Sequence, residues 1–193
     1  MIYLASTSPR RKEILKKAGI SFRILKPAYE EDNGLKGLPS QIVKIHARKK
    51  AESCVRQIKD GIILGADTIV YLRGAIIGKP KNMKEACLIL GRLQGRRHAV
   101  YTGGALLQVK AGRIVRKTIF FEKSRVKIKK LSAADIRHYF KKVNPLDKAG
   151  AYAVQSPHGG IIEAVQGSFS NVIGLPIEAV SRHLNRFKKL MRS

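Results

Sequence analysis

The sequence predicts a mixed α/β fold. Short apolar runs of strand length alternate along the chain with segments whose apolar residues recur at helical spacing. In the middle of the chain, pairs of such runs fold back at Arg73-Gly74 and at Lys110-Ala111-Gly112, so part of the sheet is expected to be antiparallel. At 193 residues the chain is one domain, or one domain with two lobes, and is long enough to bury a sizeable core.

The first apolar run, residues 2–5, reads as a buried strand. Ser6-Thr7-Ser8, Pro9 and the arginines Arg10 and Arg11 follow, and Ile14, Leu15 and Ala18 then repeat at helical spacing until Gly19. Ser8 is the expected N-cap, with Pro9 at the first helical position, where a missing N–H costs nothing. A helix N-terminus offers unpaired N–H groups and the positive end of a dipole; hydroxyls and guanidiniums beside it suit a polyphosphate. An ordinary capped helix with two solvated arginines fits the same residues.

Residues 20–25 read as a second strand and 26–39 as a loop carrying Glu30-Glu31-Asp32. Three consecutive acids in so basic a chain are either a solvated cluster or a divalent-metal site, since hard cations take carboxylate oxygens. Ser40 is the expected cap of a long helix to Lys59, apolar through Ile42, Ile45, Ala47, Ala51, Cys54, Val55 and Ile58 and basic through Lys44, Arg48, Lys49 and Lys50. Residues 61–70 form an apolar strand broken only by Asp67 and Thr68. A carboxylate there is costly unless it is paired or binds a metal. Backbone donors would satisfy it structurally; beside a phosphate site it would serve as general base or Mg²⁺ ligand. Lys79, between Gly78 and Pro80, has a backbone fixed by its neighbours and an ammonium that can be aimed. Asn82 with Glu85 predicts a helix start, and that helix runs to Leu93. Residues 98–109 and 112–128 are two long strands; His98 and Thr102 are open to a site role, with a satisfied strand histidine the favoured reading. Ser132 and Asp135 open a helix through Lys141, residues 161–165 form a strand, and 177–190 form a last helix with a basic tail.

The balance of 39 basic against 13 acidic residues gives a net charge of +26. Such a field attracts polyanions and gives salt-sensitive, non-specific binding to nucleic acid; a general basic bias accounts for it equally. Aromatics are 6%, Trp is absent, and no stretch interleaves aromatic with basic residues as a base-stacking platform would. Cys54 and Cys87 read as buried thiols in a reducing cytosol, and a cytoplasmic location is expected. No membrane span and no signal peptide is expected. The Walker A and dinucleotide patterns, a nucleophile elbow and zinc spacing of the five histidines are all missing.

Six motifs lie in an order that resembles the Maf family of nucleoside triphosphate pyrophosphatases. They are Leu4-Ala5-Ser6-Thr7-Ser8-Pro9-Arg10-Arg11, Gly65-Ala66-Asp67-Thr68, Gly78-Lys79-Pro80, the stretch from His98 to Thr102, Pro145-Leu146-Asp147-Lys148-Ala149-Gly150-Ala151-Tyr152, and Asn171-Val172-Ile173-Gly174-Leu175-Pro176. Each is weak alone; together they cover nearly the whole chain. The resemblance implies one two-lobed α/β domain over residues 1–193, built around a long bent mixed sheet shared with inosine triphosphate pyrophosphatases, with the active cleft between the lobes. It implies Mg²⁺- or Mn²⁺-dependent cleavage of a nucleoside triphosphate to the monophosphate and pyrophosphate, often by a homodimer. Carried over by position, Ser8, Arg10 and Arg11 hold phosphates. Glu31, with Glu30 as a second candidate, binds metal. Lys50 and Lys79 neutralise phosphate charge. Asp67 is the proton acceptor, in competition with use as a metal ligand beside Glu31.

Arg10, Thr68 and Gln155 match the subgroup preferring dTTP and UTP, including modified forms such as 5-methyl-UTP and pseudo-UTP. A tryptophan, glutamine and glutamate at those positions would match 7-methyl-GTP. An amide both donates to and accepts from a uracil or thymine edge. The chain departs from the pattern at Ser156, Tyr29 and Asn144. A nucleic-acid-binding module and a regulatory protein without turnover are the rival expectations.

Overall fold

In the computed structural model, which describes residues 1–32, 34–154 and 160–189, the strands form one mixed sheet. The chain runs β1 (Ile2–Ala5), α1 (Pro9–Lys17), β2 (Arg23–Leu25), α2 (Pro39–Glu52), β3 (Gly61–Leu72), β4 (Ala75–Ile77), α3 (Met83–Leu93), β5 (Arg97–Lys110), β6 (Arg113–Ile128), α4 (Ala133–Lys142), β7 (Ile162–Gln166), α5 (Phe169–Ile173) and α6 (Ile177–Lys189). Short 3₁₀ turns lie at Val55–Gln57 and Ala149–Ala151. The sheet order is β2-β1-β3-β5-β6-β7, with β4 on β3. β1 is parallel to β2 and β3, and the remaining pairs are antiparallel. Among the described residues no helix is long and apolar enough to cross a membrane.

β3 organises the rest. β5 pairs along one edge from Gly61 to Tyr71. On the other edge β1 reaches only residues 62–65 and β4 only residues 70–72, so, among the described residues, 66–69 lack a strand neighbour there. Side chains alternate across a strand. On one face Ile62, Leu64 and Ala66 pack with Leu15 of α1 and Leu184 and Phe187 of α6. Further along that face Val70 and Leu72 pack with Leu90 and Leu93 of α3 and Tyr139 of α4. Thr68 falls between these two clusters. On the opposite face Ile63, Ala105 and Leu107 pack with Ala47 and Ala51 of α2.

α2 lies unusually close to the sheet. A Cβ at Gly65 would stand 2.2 Å from the Ala47 carbonyl oxygen, and one at Gly103 would stand 2.2 Å from that of Val43. Two glycines on neighbouring strands thus admit the backbone of α2, and small residues such as Ala47 and Ala51 complete the contact. Burial of Val43 beside them contributes about 1.5–3 kcal/mol.

The capping expectations hold at Asn82, whose side chain accepts from Glu85 N–H, and at Ser132, which forms a reciprocal box with Asp135. The Arg73-Gly74 turn also forms, with φ of 48° and 87° at its two residues. Three expectations need correction. The second strand is confined to Arg23–Leu25, because only those residues find partners on β1. α2 begins at Pro39 with Leu38 as N-cap rather than at Ser40: proline holds the residue before it extended, and Leu38 has φ −66° and ψ 140°. The helix also stops at Glu52 instead of Lys59. There the Ser53 hydroxyl bonds back to the Lys50 carbonyl oxygen, and Gln57 Nε2 reaches across to that of Lys26. Cys54 is buried, as expected, whereas Cys87 is only half-buried.

Replacing Gly103 by Ala forces α2 outward and is expected to destabilise the protein by about 2–3 kcal/mol. Gly91→Ala, where nothing lies within 4 Å of the added carbon, serves as the control. Equal urea midpoints for the two variants would show that the close approach carries no weight.

Candidate functional site

A cleft of about 590 Å³ opens at the unpaired edge of β3. Ser6, Ser8, Arg10, Arg11, Glu31, Lys50, Asp67, Thr68 and Lys79 all line it, so side chains scattered from residue 6 to residue 79 converge on one space. The far wall carries Asp147 and Lys148 and turns apolar at Val70, Val100 and Tyr152.

The turn from β1 into α1 forms the anion-binding wall. Ser8 occupies the expected N-cap position, but its hydroxyl makes no cap bond; its N–H instead donates to Ser6 Oγ at 3.2 Å. Pro9 has no N–H, and among the described residues the N–H groups of Arg10 and Arg11 find no acceptor. The helix end is therefore open to an anion. Arg11 is held by three acceptors: Gly174 O at 2.9 Å from Nε, Ser6 Oγ at 3.2 Å and Thr68 Oγ1 at 3.3 Å. Burial lowers its pKa against the pull of Asp67 and Glu31, yet a guanidinium stays charged at neutral pH. Arg10 reaches across the cleft mouth to Asp147, bonding Oδ2 at 2.7 Å and the backbone oxygen at 3.0 Å. Desolvation pushes the Asp147 carboxyl up, but Lys148 and Arg10 outweigh it and hold the group below the usual range.

The carboxylate side is organised by Lys50. Its ammonium donates to Asp67 Oδ1 at 2.6 Å and to Glu31 Oε1 at 2.5 Å. Asp67 is 4% exposed, and Lys50 is buried with it. Burial pushes the Glu31 carboxyl up; Lys50 more than reverses this, with Lys79 and His46 adding to the effect, so the group stays ionised. Behind Glu31, Tyr29 OH and His46 Nδ1 lie 2.8 Å apart, and Lys49 stands over the Tyr29 ring. Of the three consecutive acids only Glu31 lines the cleft; Glu30 is exposed outside it, and Asp32 accepts from Gly34 N–H. Lys79 is exposed at the rim.

Thr68 lies on the strand face opposite Asp67. Its Oγ1 is 3.0 Å from Thr102 Oγ1 and 3.3 Å from Gly174 O. Thr102 donates to Asn171 O, and the buried Asn171 amide donates to Val100 O and Ser124 Oγ. This network fixes α5, an element the sequence does not announce, and so fixes the carbonyl that orients Arg11. His98 is a buried strand histidine but is satisfied at one nitrogen only: Nε2 meets Tyr152 OH at 2.7 Å, Nδ1 has no partner among the described residues, and burial lowers the pKa to about 4.

Glu31 and Asp67 each give one oxygen to Lys50, and their second oxygens have no hydrogen bond among the described residues. Among those residues no group of three or more His, Cys, Asp or Glu side chains is placed to hold a metal. Two hard carboxylates suit Mg²⁺, which is bound through one or two carboxylates and completes its shell with water and substrate phosphates.

Sequence reading left Ser6, Asp147 and Asn171 without roles. Nothing local marks Asp147 as the partner of Arg10, 137 residues away. Gln155, expected to read the base, and Ser156 lie outside the described residues.

A sequence model of the family described as Maf-like protein matches residues 1–187. The dTTP/UTP pyrophosphatase of Bacillus anthracis is 41% identical over 187 residues, covering 96% of this chain and 95% of the relative. The dTTP/UTP pyrophosphatase of Dictyoglomus thermophilum is 38% identical over 186 residues, covering 96% and 95%. That of Caldicellulosiruptor saccharolyticus is 40% identical over 189 residues, covering 96% and 94%.

His98 makes stability sensitive to acid. An unfolded histidine titrates near 6.5 and the folded one at about 4. Its contribution is therefore complete above pH 6.5 and is lost as pH falls toward 4, by at most roughly 3 kcal/mol. Across that window the urea midpoint of His98→Phe is expected to fall less steeply than that of the wild type. Parallel slopes would remove His98 from the account.

Proposed function

The chain belongs to the Maf family, and on that premise we propose that its cleft hydrolyses nucleoside triphosphates, dTTP and UTP foremost, to the monophosphate and pyrophosphate. The observation that carries the reading is the convergence, in one cleft, of an open helix N-terminus flanked by Arg10 and Arg11 with two carboxylates that share the ammonium of Lys50. The first is chemistry for a polyphosphate and the second is chemistry for activating water.

In this reading Ser8, the N–H groups opening α1, and Arg11 bind the phosphates. Arg11 is already oriented by its three acceptors, so little reorganisation is needed to stabilise charge moving onto the leaving pyrophosphate. Water attacks the α-phosphorus, the bond from that phosphorus to the bridging oxygen breaks, and pyrophosphate leaves. Asp67 accepts the proton of the water. Lys50 keeps Glu31 ionised and holds both carboxylates in register before substrate arrives, and Lys79 adds positive charge at the rim. A divalent cation, Mg²⁺ or Mn²⁺, would be held by Glu31 and would supply charge neutralisation and a more acidic water; Asp67 has one oxygen free of Lys50 and is a metal ligand only in competition with accepting the proton.

The apolar wall at Val70, Val100 and Tyr152 is suited to the sugar and base. Gln155 is the residue proposed to read the uracil or thymine edge. That edge is shared by modified uridine triphosphates, which extends the proposal to them.

Asp67→Asn keeps the size of the side chain and is expected to lower kcat by about 10²–10⁴-fold with an unchanged circular dichroism spectrum. Pyrophosphate release from dTTP at near-wild-type rate in this variant would falsify the assignment. Turnover is also expected to vanish on chelation and to return with Mg²⁺. A release screen over the canonical triphosphates, 7-methyl-GTP and modified uridine triphosphates tests the base: failure on every pyrimidine overturns the substrate reading, and retention of activity without divalent cations overturns the metal reading.

A further inference from the structure

On the sheet face that carries Gly65 and Gly103, α2 covers only the first half. Beyond it no helix among the described residues covers the face. Tyr71 and Tyr101 are half-buried there, Phe121 is 43% exposed and Ile76 is 42% exposed. The three rings form a continuous set. Tyr101 meets Phe121 at 6.4 Å with the planes 29° apart, and Tyr71 stands edge-on to Tyr101 at 6.2 Å. Cations are interleaved with them. Lys123 Nζ lies 5.4 Å from the Tyr101 ring centre, and Lys44 Nζ of α2 lies 5.8 Å from that of Phe121. Arg125, exposed, follows Lys123 on the same face of β6. None of these side chains lines the cleft described above.

We propose that this aromatic and basic sheet face binds single-stranded nucleic acid. Rings on an open sheet offer π-faces to successive bases, and flanking cations follow the phosphates; one ligand satisfies both features and needs no particular sequence. A second copy of this chain is the poorer occupant. It would bring a +26 surface against Lys44, Lys123 and Arg125, and like charges oppose that association. It also has few carboxylates to offer: 13 acidic residues in all, of which Glu31, Asp67 and Asp147 already hold cations. The interleaving that no single stretch of sequence contains is built across β3, β5 and β6 by their register, which places Tyr101 opposite Lys123 and Ile69.

The test is fluorescence anisotropy with labelled oligodeoxythymidylate and oligouridylate of about 20 nucleotides, with heparin as a polyanion that has no bases. The wild type is expected to bind the oligonucleotides. The double variant Y101L/F121L is expected to bind them at least about tenfold more weakly, because stacking contributes about 1–3 kcal/mol per base. Its heparin binding and its dTTP turnover are expected to stay unchanged. Lys123→Gln is expected to lower the slope of log affinity against log salt by about 0.7. If the double variant lowers the urea midpoint, Phe121→Leu alone, at the most exposed ring, is expected to show a loss of about fivefold for oligonucleotide and none for heparin. Equal oligonucleotide affinity in wild type and variants would show that diffuse charge does the binding and would overturn the proposal, as would no binding at all. So would a wild-type dimer in sedimentation that Y101L/F121L dissociates, which would make the face an interface between copies. The deoxy and ribo arms separate DNA from RNA as the source.

Discussion

The ammonium of Lys50, shared between Asp67 and Glu31, is the constraint on which the site depends. Neither Asp67 nor Lys50 could be charged alone at that depth without a penalty of several kcal/mol, and the attraction between them offsets most of it. Removing one member of such a buried pair typically costs about 3–5 kcal/mol because the other is left uncompensated. The pair therefore adds little net stability and fixes position instead. Its geometry follows from two periodicities. Lys50 is three residues beyond Ala47, whose carbonyl rests on Gly65, and Asp67 is two residues beyond Gly65 on the same strand face. Close docking of α2 is thus what sets the ammonium over the carboxylate.

The second constraint is the gap along β3. Adjacent strand residues point to opposite faces, so Asp67 belongs to the α2 side and Thr68 to the α1 and α6 side. In a fully paired sheet these sides would be separated by a neighbouring strand. Here β1 ends opposite Gly65 and the antiparallel β4 reaches back only as far as Val70, so both faces open into one space. The carboxylates reach it from one side, and Arg11, tied to Thr68 and Gly174, reaches it from the other.

Local chemistry was legible in the sequence wherever it is local in fact. The first strand, the Pro9 helix start, the Asn82 and Ser132 caps and the Arg73-Gly74 turn all depend on neighbours within a few residues. Expectations failed where tertiary contacts decide: α2 is cut short by Ser53 and by the pull of Gln57 on Lys26, and β2 is trimmed by what β1 offers it. In the site, Arg10, Arg11 and Asp67 are recognisable because their residue types conflict with their surroundings. Lys50 is one of several lysines on a helix and carries no mark of its own; only the motif resemblance singles it out. The Asp147 partner of Arg10 and the Asn171 anchor are pairings at long separation, which no periodicity encodes.

The two clusters beneath α1 and α6 and beneath α3 and α4 are joined by no linker. β3, β5 and β6 contribute to both, through Leu64 and Val70, Leu106 and Val100, and Phe120 and Val126. Widening or narrowing the cleft must therefore flex three continuous strands and the two ladders of hydrogen bonds between them, where a hinge would need only a few backbone rotations. A sheet resists such flexing like a leaf spring. The walls are consequently held near their final separation before any ligand enters, little ordering entropy remains to be lost on binding, and selection among ligands falls to the shape of a cleft that hardly yields.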